Sequence, residues 1–122
     1  MQASSEPTHR HFSIPLSQWI VQVPVELPFD AVGLWQIVPV LRQDFGLAGD
    51  ALVQAVRAAI RALIEAGAIP VQGTDLPMRW VPRQDLAASG ERGVELIVEY
   101  WQALGRDPHV GDVWLTLPPD AA

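Results

Sequence analysis

DALVQAVRAAIRALIEAGAIPVQ, residues 50–72, changes period partway along, and that change decides the fold class. Leu52, Val56, Ile60 and Leu63 recur at spacings of four, four and three, with Ala59 beside them, which is the apolar stripe of a helix. Gln54, Arg57, Arg61 and Glu65 fall on the opposite, wet face. Alanine, leucine and arginine dominate, all strong helix formers, so a helix is expected from Asp50 as N-cap to Gly67 as C-cap. Ile69–Gln72 then reads as a short strand, and Met78–Val81 as a second one across the loop from Gly73 to Pro77. A helix followed by a hairpin of adjacent strands points to an α+β domain with an antiparallel sheet.

The flanks extend this pattern. A second strong helix is expected from about Gly90, capped by Ser89, to Leu104, with Val94, Ile97, Val98, Trp101 and Leu104 on its apolar face and Gly105 closing it. Val113–Leu117 reads as a strand stopped by Pro118 and Pro119. Toward the N-terminus, Leu34, Val38, Leu41 and Phe45 form a stripe on a helix expected from an Asp30 cap to Phe45, kinked at Pro39 and broken by Gly46. Trp19, Val21, Val23 and Val25 alternate, which predicts a strand ending raggedly at Pro24. Residues 1–11 are polar and read as a flexible tail, leaving 12–119 as the domain. The expectation is a small single α+β domain, about three helices and a short antiparallel sheet, with a winged-helix-like middle.

Composition narrows the function classes. The 122 residues fit one domain, and a 49% apolar fraction with five tryptophans supplies its core. Cysteine is absent, so disulfides and thiolate metal sites are excluded. No run approaches a membrane span of about 20 apolar residues. The polar N-terminus has no apolar signal core, and the reading is cytoplasmic. Every basic residue is arginine and asparagine is missing, a bias typical of GC-rich bacterial genomes. The net charge of −6 repels nucleic acid and anionic lipid and suits a basic partner.

Catalytic signatures are missing: there is no GxSxG, P-loop, GxGxxG or HExxH, and no enzyme is expected. His9 and His11 could present two imidazoles on one side of an extended chain, but no third ligand lies near in sequence, so neither a metal nor a cofactor is expected. His109 sits in an Asp107-Pro108-His109 turn and reads as a solvated loop residue.

Three constellations remain. Residues 51–81 have the order of a recognition helix and wing, with Arg57 and Arg61 one turn apart on the helix and Arg79 and Arg83 flanking the wing. These four arginines form the candidate nucleic-acid-binding set of an alternative reading, a winged-helix-like nucleic-acid-binding or regulatory module. Against it, Glu65 shares the helical face, which has almost no base-reading side chains. Glu91, Glu95 and Glu99 recur every four residues opposite the Trp101 face, a like-charge stripe that costs its helix a little stability and reads either as a solvated face with arginine neighbours from elsewhere in the fold or as a docking surface for a basic partner. Of the tryptophans, Trp101 is the surest core member, and Trp80, on a ragged strand, is a candidate aromatic anchor.

Residues 99–108, EYWQALGRDP, followed by GDVWLTLP at 111–118, resemble the C-terminal part of small bacterial proteins of the immunity type, from polymorphic toxin systems. The resemblance covers about a third of the chain and is a helix–turn–strand pattern without a chemical signature. It implies a cytoplasmic protein-binding inhibitor that occludes one cognate toxin domain, with Glu91, Glu95, Glu99 and Trp80 as the partner-binding residues.

Overall fold

The structure is a computed structural model describing residues 6–73 and 80–118. It is a mixed α+β domain whose described residues form four α-helices and a four-stranded antiparallel sheet. In chain order these are α1 (Leu16–Gln22), β1 (Val32–Gly33), α2 (Leu34–Pro39), α3 (Gly49–Glu65), β2 (Ile69–Gly73), β3 (Trp80–Pro82), α4 (Gly90–Leu104) and β4 (Trp114–Thr116). None of the helices is long and apolar enough to cross a membrane, among the described residues.

The two strong amphipathic segments form the centre. Leu52, Val56, Ala59, Ile60 and Leu63 of α3 are buried, as are Val94, Ile97, Val98 and Trp101 of α4. The two stripes pack on each other in the largest helix–helix contact of the domain. Gly67 and Gly105 follow the two helices at φ of +100° and +67°, the left-handed turn that ends a helix and that side chains rarely tolerate. The start of α3 differs from expectation: Ala48 is the cap, contributing only its carbonyl to the Leu52 N–H, and Asp50 lies inside the first turn, where the helix dipole favours a carboxylate.

The segment expected as a strand, Trp19–Val25, is helical: α1 is followed by a 3-10 turn at Val23–Glu26. Leu16, Trp19, Val23 and Leu27, spaced three, four and four, pack on the core, whereas Val21 and Val25 are exposed. The alternation was a coincidence laid over a helical period, and Pro24 sits in the first turn of the 3-10 segment, where no N–H is needed. The next helix is also shorter than expected. Asp30 does not cap it; β1 intervenes, and α2 begins at Gly33, whose N–H donates to the Gln36 side chain at 2.9 Å. Pro39 ends α2, and the chain widens into a π-turn at Val40–Asp44, with Phe45 N–H donating to the Val40 carbonyl. The predicted stripe of Leu34, Val38, Leu41 and Phe45 is buried throughout.

Strand order is β1-β4-β2-β3. Val32 opposes Leu115 and Leu115 opposes Pro70; all three are buried and face the helices. The other face carries Gly33 opposite Trp114, Trp114 opposite Val71, and Gly73 opposite Trp80. The expected helix–hairpin order is present, but β4 lies between β1 and β2 and α4 packs along α3. The loop from residue 74 to 77 and the expected strand start at Met78 lie outside the described residues. Residues 6–11, read as the end of a tail, pack on the domain: Thr8 bridges Pro15, and His9 is only 7% exposed.

Trp101 is 6% exposed on the buried face of α4. Trp101→Ala should therefore cost roughly 3–5 kcal/mol, a large part of a small domain's stability. Denaturant melts check this, and a loss under about 1 kcal/mol would mean that the indole packs against nothing essential.

Candidate functional site

The sequence left four groups to be located: the acidic stripe, the arginines, the histidines and the tryptophans. The acidic stripe is divided by its environment. Glu91 accepts a bidentate hydrogen-bond pair from Arg61 at 2.7 and 2.9 Å, and Glu95 accepts one from Arg57 at 2.8 and 3.1 Å. The guanidinium beside each carboxyl group lowers its pKa, and each arginine's own is raised. As the numbers rise by four on α3 they fall by four on α4, so the two pairs run as rungs along antiparallel helices. Glu99 has no ion-pair partner among the described residues. Two of the three proposed docking carboxylates, and two of the four proposed nucleic-acid arginines, are thus engaged with each other.

Arg83 is also occupied. It holds Asp85 through two hydrogen bonds, donates to Gln72 at 2.8 Å, and lies over the Tyr100 ring at 5.3 Å. Arg79 lies outside the described residues. The four arginines do not form an open basic patch among the described residues.

His9 and His11 converge on Asp44, the former with Nε2 3.3 Å from Oδ2 and the latter 3.9 Å from Oδ1; Arg10 reaches Oδ1 at 3.0 Å. His9 Nδ1 accepts the N–H groups of His11 and Phe12. Both ring nitrogens of His9 are therefore used in shaping the turn, and neither is free to take a proton from a nucleophile. No group of three His, Cys, Asp or Glu among the described residues is arranged to hold a metal ion.

A buried carboxylate, Asp112, was not anticipated. Asp112 accepts two hydrogen bonds from Arg106, one from the His109 backbone and one from the Tyr100 hydroxyl. The Arg106 guanidinium, helped by the His109 N–H, holds its pKa at about 2 against an opposing effect of burial. Burial and the adjacent Asp112 push Tyr100 upward. This cluster fastens the end of α4 to the approach of β4; His109 itself is exposed. Its only sequence signal is the Gly111-Asp112 turn, and Arg106 and Tyr100 gave no hint of convergence.

The tryptophans form a partly exposed row. On the outer face of the sheet Trp114 stands between Trp35, at 6.0 Å between centroids, and Trp80, at 5.1 Å. Trp35 and Trp80 are each 38% exposed. Gly33 makes the row possible, since a Cβ there would lie 2.6 Å from Trp35 Cδ1 and 3.0 Å from Trp114 Cδ2. The Trp114 indole N–H donates to the Val110 carbonyl at 2.9 Å and locks the middle ring. Beside Trp80, Phe29 is 86% exposed and borders a depression with Leu27, Asp30 and Leu117. Of the residues singled out in the sequence as partner-binding, Trp80 lies in this row; Trp35 and Trp114 were not among them.

The chain matches no protein-family model, no curated protein and no solved structure.

Two outcomes test these assignments. Glu95→Gln should lower stability, because it leaves Arg57 half-paired, and added salt should shrink the difference; Glu99→Gln should leave the melt unchanged. A stabilised Glu95→Gln protein would mean that the rungs do not form. For Asp112, the folded pKa of about 2 lies below the ordinary 3.8. Its contribution is therefore complete above pH 3.8 and is lost as the pH falls toward 2. The shift corresponds to at most about 2 kcal/mol, reduced by the half-exposed Arg106. Asp112→Asn should be less stable than the wild type at neutral pH, and acid titration of both should bring the two curves together below pH 4. A gap that stays constant with pH would assign the effect to packing alone.

Proposed function

We propose that the protein is a protein-binding inhibitor of the immunity type, which neutralises a bacterial toxin domain by occluding it, and that it docks through the outer face of its sheet. The row of Trp35, Trp114 and Trp80, partly exposed and with its middle ring held by the Val110 carbonyl, is the observation that carries this reading. Tryptophan is the residue most enriched among interface hot spots, because it contributes a large rigid apolar area at little rotamer cost. Contiguous exposed aromatic surface is unusual on a protein without a partner.

Charge supports a basic partner. Six of the eight arginines each hold a carboxylate of this chain, and the net charge is −6. Such a field accelerates association with a basic surface and disfavours a second copy of the same acidic chain. The same pairing weighs against the alternative of nucleic-acid binding, because Arg57, Arg61 and Arg83 would each have to leave a carboxylate to reach a phosphate. Strand addition at the sheet edge is disfavoured too: β1 has two residues, and β3 carries Pro82 without an N–H.

The test is growth rescue. The reading predicts that a secreted protein with a variable C-terminal domain is encoded immediately upstream; producing that domain should arrest cells, and co-producing this protein should restore growth. Trp35→Ala with Trp80→Ala should abolish rescue and weaken the complex at least about a hundredfold, each tryptophan being worth about 2 kcal/mol or more. Wild-type protein that neither rescues nor binds that domain would overturn the proposal. Retained rescue by the double variant would move the site off the sheet face.

A further inference from the structure

Between the α1 turn and the start of α2 lies a groove of about 380 Å3. We infer that this groove seats an arginine side chain of the partner protein; the inference rests on the docking reading above. Asp30 and Ala31 line both this groove and the depression bordered by Phe29 and Trp80, so the two adjoin. The floor is apolar, with Val23, Val32 and Ile37, and Trp19 provides ring surface along one wall. The remaining lining is polar: the carboxylates of Glu26 and Asp30, the Gln22 amide, and the Gln36 amide, whose single oxygen accepts the Gly33 N–H.

Charge complementarity selects the occupant. Among the described residues, neither depression is lined by an arginine and neither Glu26 nor Asp30 has an ion-pair partner. One Asp30 oxygen accepts the Ala31 N–H and one Gln36 oxygen accepts the Gly33 N–H, which fixes both side chains at the rim. The second Asp30 oxygen and both Glu26 oxygens stay available. A planar guanidinium with five donors satisfies several acceptors at once while its faces stack on an indole, and its aliphatic stem lies on the apolar floor. An ammonium has a compact, strongly hydrated head and suits this mixed lining less well. A purely apolar side chain would leave two carboxylates desolvated without compensation.

The experiment uses the full chain and small probes. N-acetyl-arginine N-methylamide is titrated at low ionic strength, with the Trp19 indole and the Gln22 and Gln36 side-chain amides followed by 1H–15N NMR. The lysine and citrulline analogues serve as controls for charge alone and shape alone. Arginine should shift these resonances saturably, lysine more weakly, and citrulline hardly at all. Glu26→Gln with Asp30→Asn should weaken arginine binding by roughly tenfold, as expected for losing charge-assisted hydrogen bonds. Equal shifts by arginine and citrulline, an undiminished response in the double variant, or shifts confined to α3 and α4 would each overturn the inference. With the toxin domain in hand the two readings separate. If tryptophan variants abolish the complex while Glu26→Gln with Asp30→Asn leaves its affinity and salt dependence intact, the groove assignment fails and the inhibitor proposal stands. If no complex forms at all, the inhibitor proposal fails and the probe titration still decides what the groove takes.

Discussion

Everything in this fold depends on the contact between α3 and α4. Two antiparallel helices press together the stripes of Val56, Ile60 and Leu63 and of Val94, Ile97 and Trp101, and the sheet packs its Val32–Leu115–Pro70 side onto the resulting core. Burial of these side chains is the dominant driving force. The Arg57–Glu95 and Arg61–Glu91 rungs add little energy at a solvated seam. What they add is register: a shift of α4 by one turn would place a carboxylate opposite a carboxylate. A stripe that looks costly on an isolated helix is balanced once its neighbour is in place.

The legible part of the sequence was the part governed by local periodicity. α3 and α4 were readable almost to the residue, β2 and β4 nearly so, because long amphipathic stripes and glycine stops are local signals. α1 was misread because Trp19, Val21, Val23 and Val25 satisfy a two-residue period while Leu16, Trp19, Val23 and Leu27 satisfy a helical one, and only packing chooses between them. The candidate site was less legible for the same reason. The partners of Glu91 and Glu95 lie 30 and 38 residues away, and no helical-wheel argument reaches them. Trp80 was identifiable as an exposed aromatic, but its neighbours in the row come from α2 and β4, and their meeting depends on a strand order that the chain order conceals.

The two faces of the sheet divide the labour of the molecule. One is a conventional core. The other is small residues and large rings: Gly33 permits Trp35 and Trp114 to approach, Val71 lies fully buried beneath, and Trp80 flanks the row. Rings held by neighbours lose little freedom when a partner arrives, so such a surface is organised before binding. Asp112 contributes from a distance by anchoring the turn whose Val110 carbonyl receives the Trp114 indole.

The position of β4 has a consequence for how the protein comes into being. It is the last described element in the chain, yet it occupies an interior place in the sheet, between β1 and β2. During synthesis the helical pair can form as soon as α4 has emerged, because its contacts are comparatively local. The sheet cannot. Until Trp114, Leu115 and Thr116 arrive, β1 has nothing to pair with, β2 lacks one neighbour, and the tryptophan row lacks its central ring. A chain cut before β4 thus keeps the helical pair but lacks the middle of its sheet and the central ring of the tryptophan row.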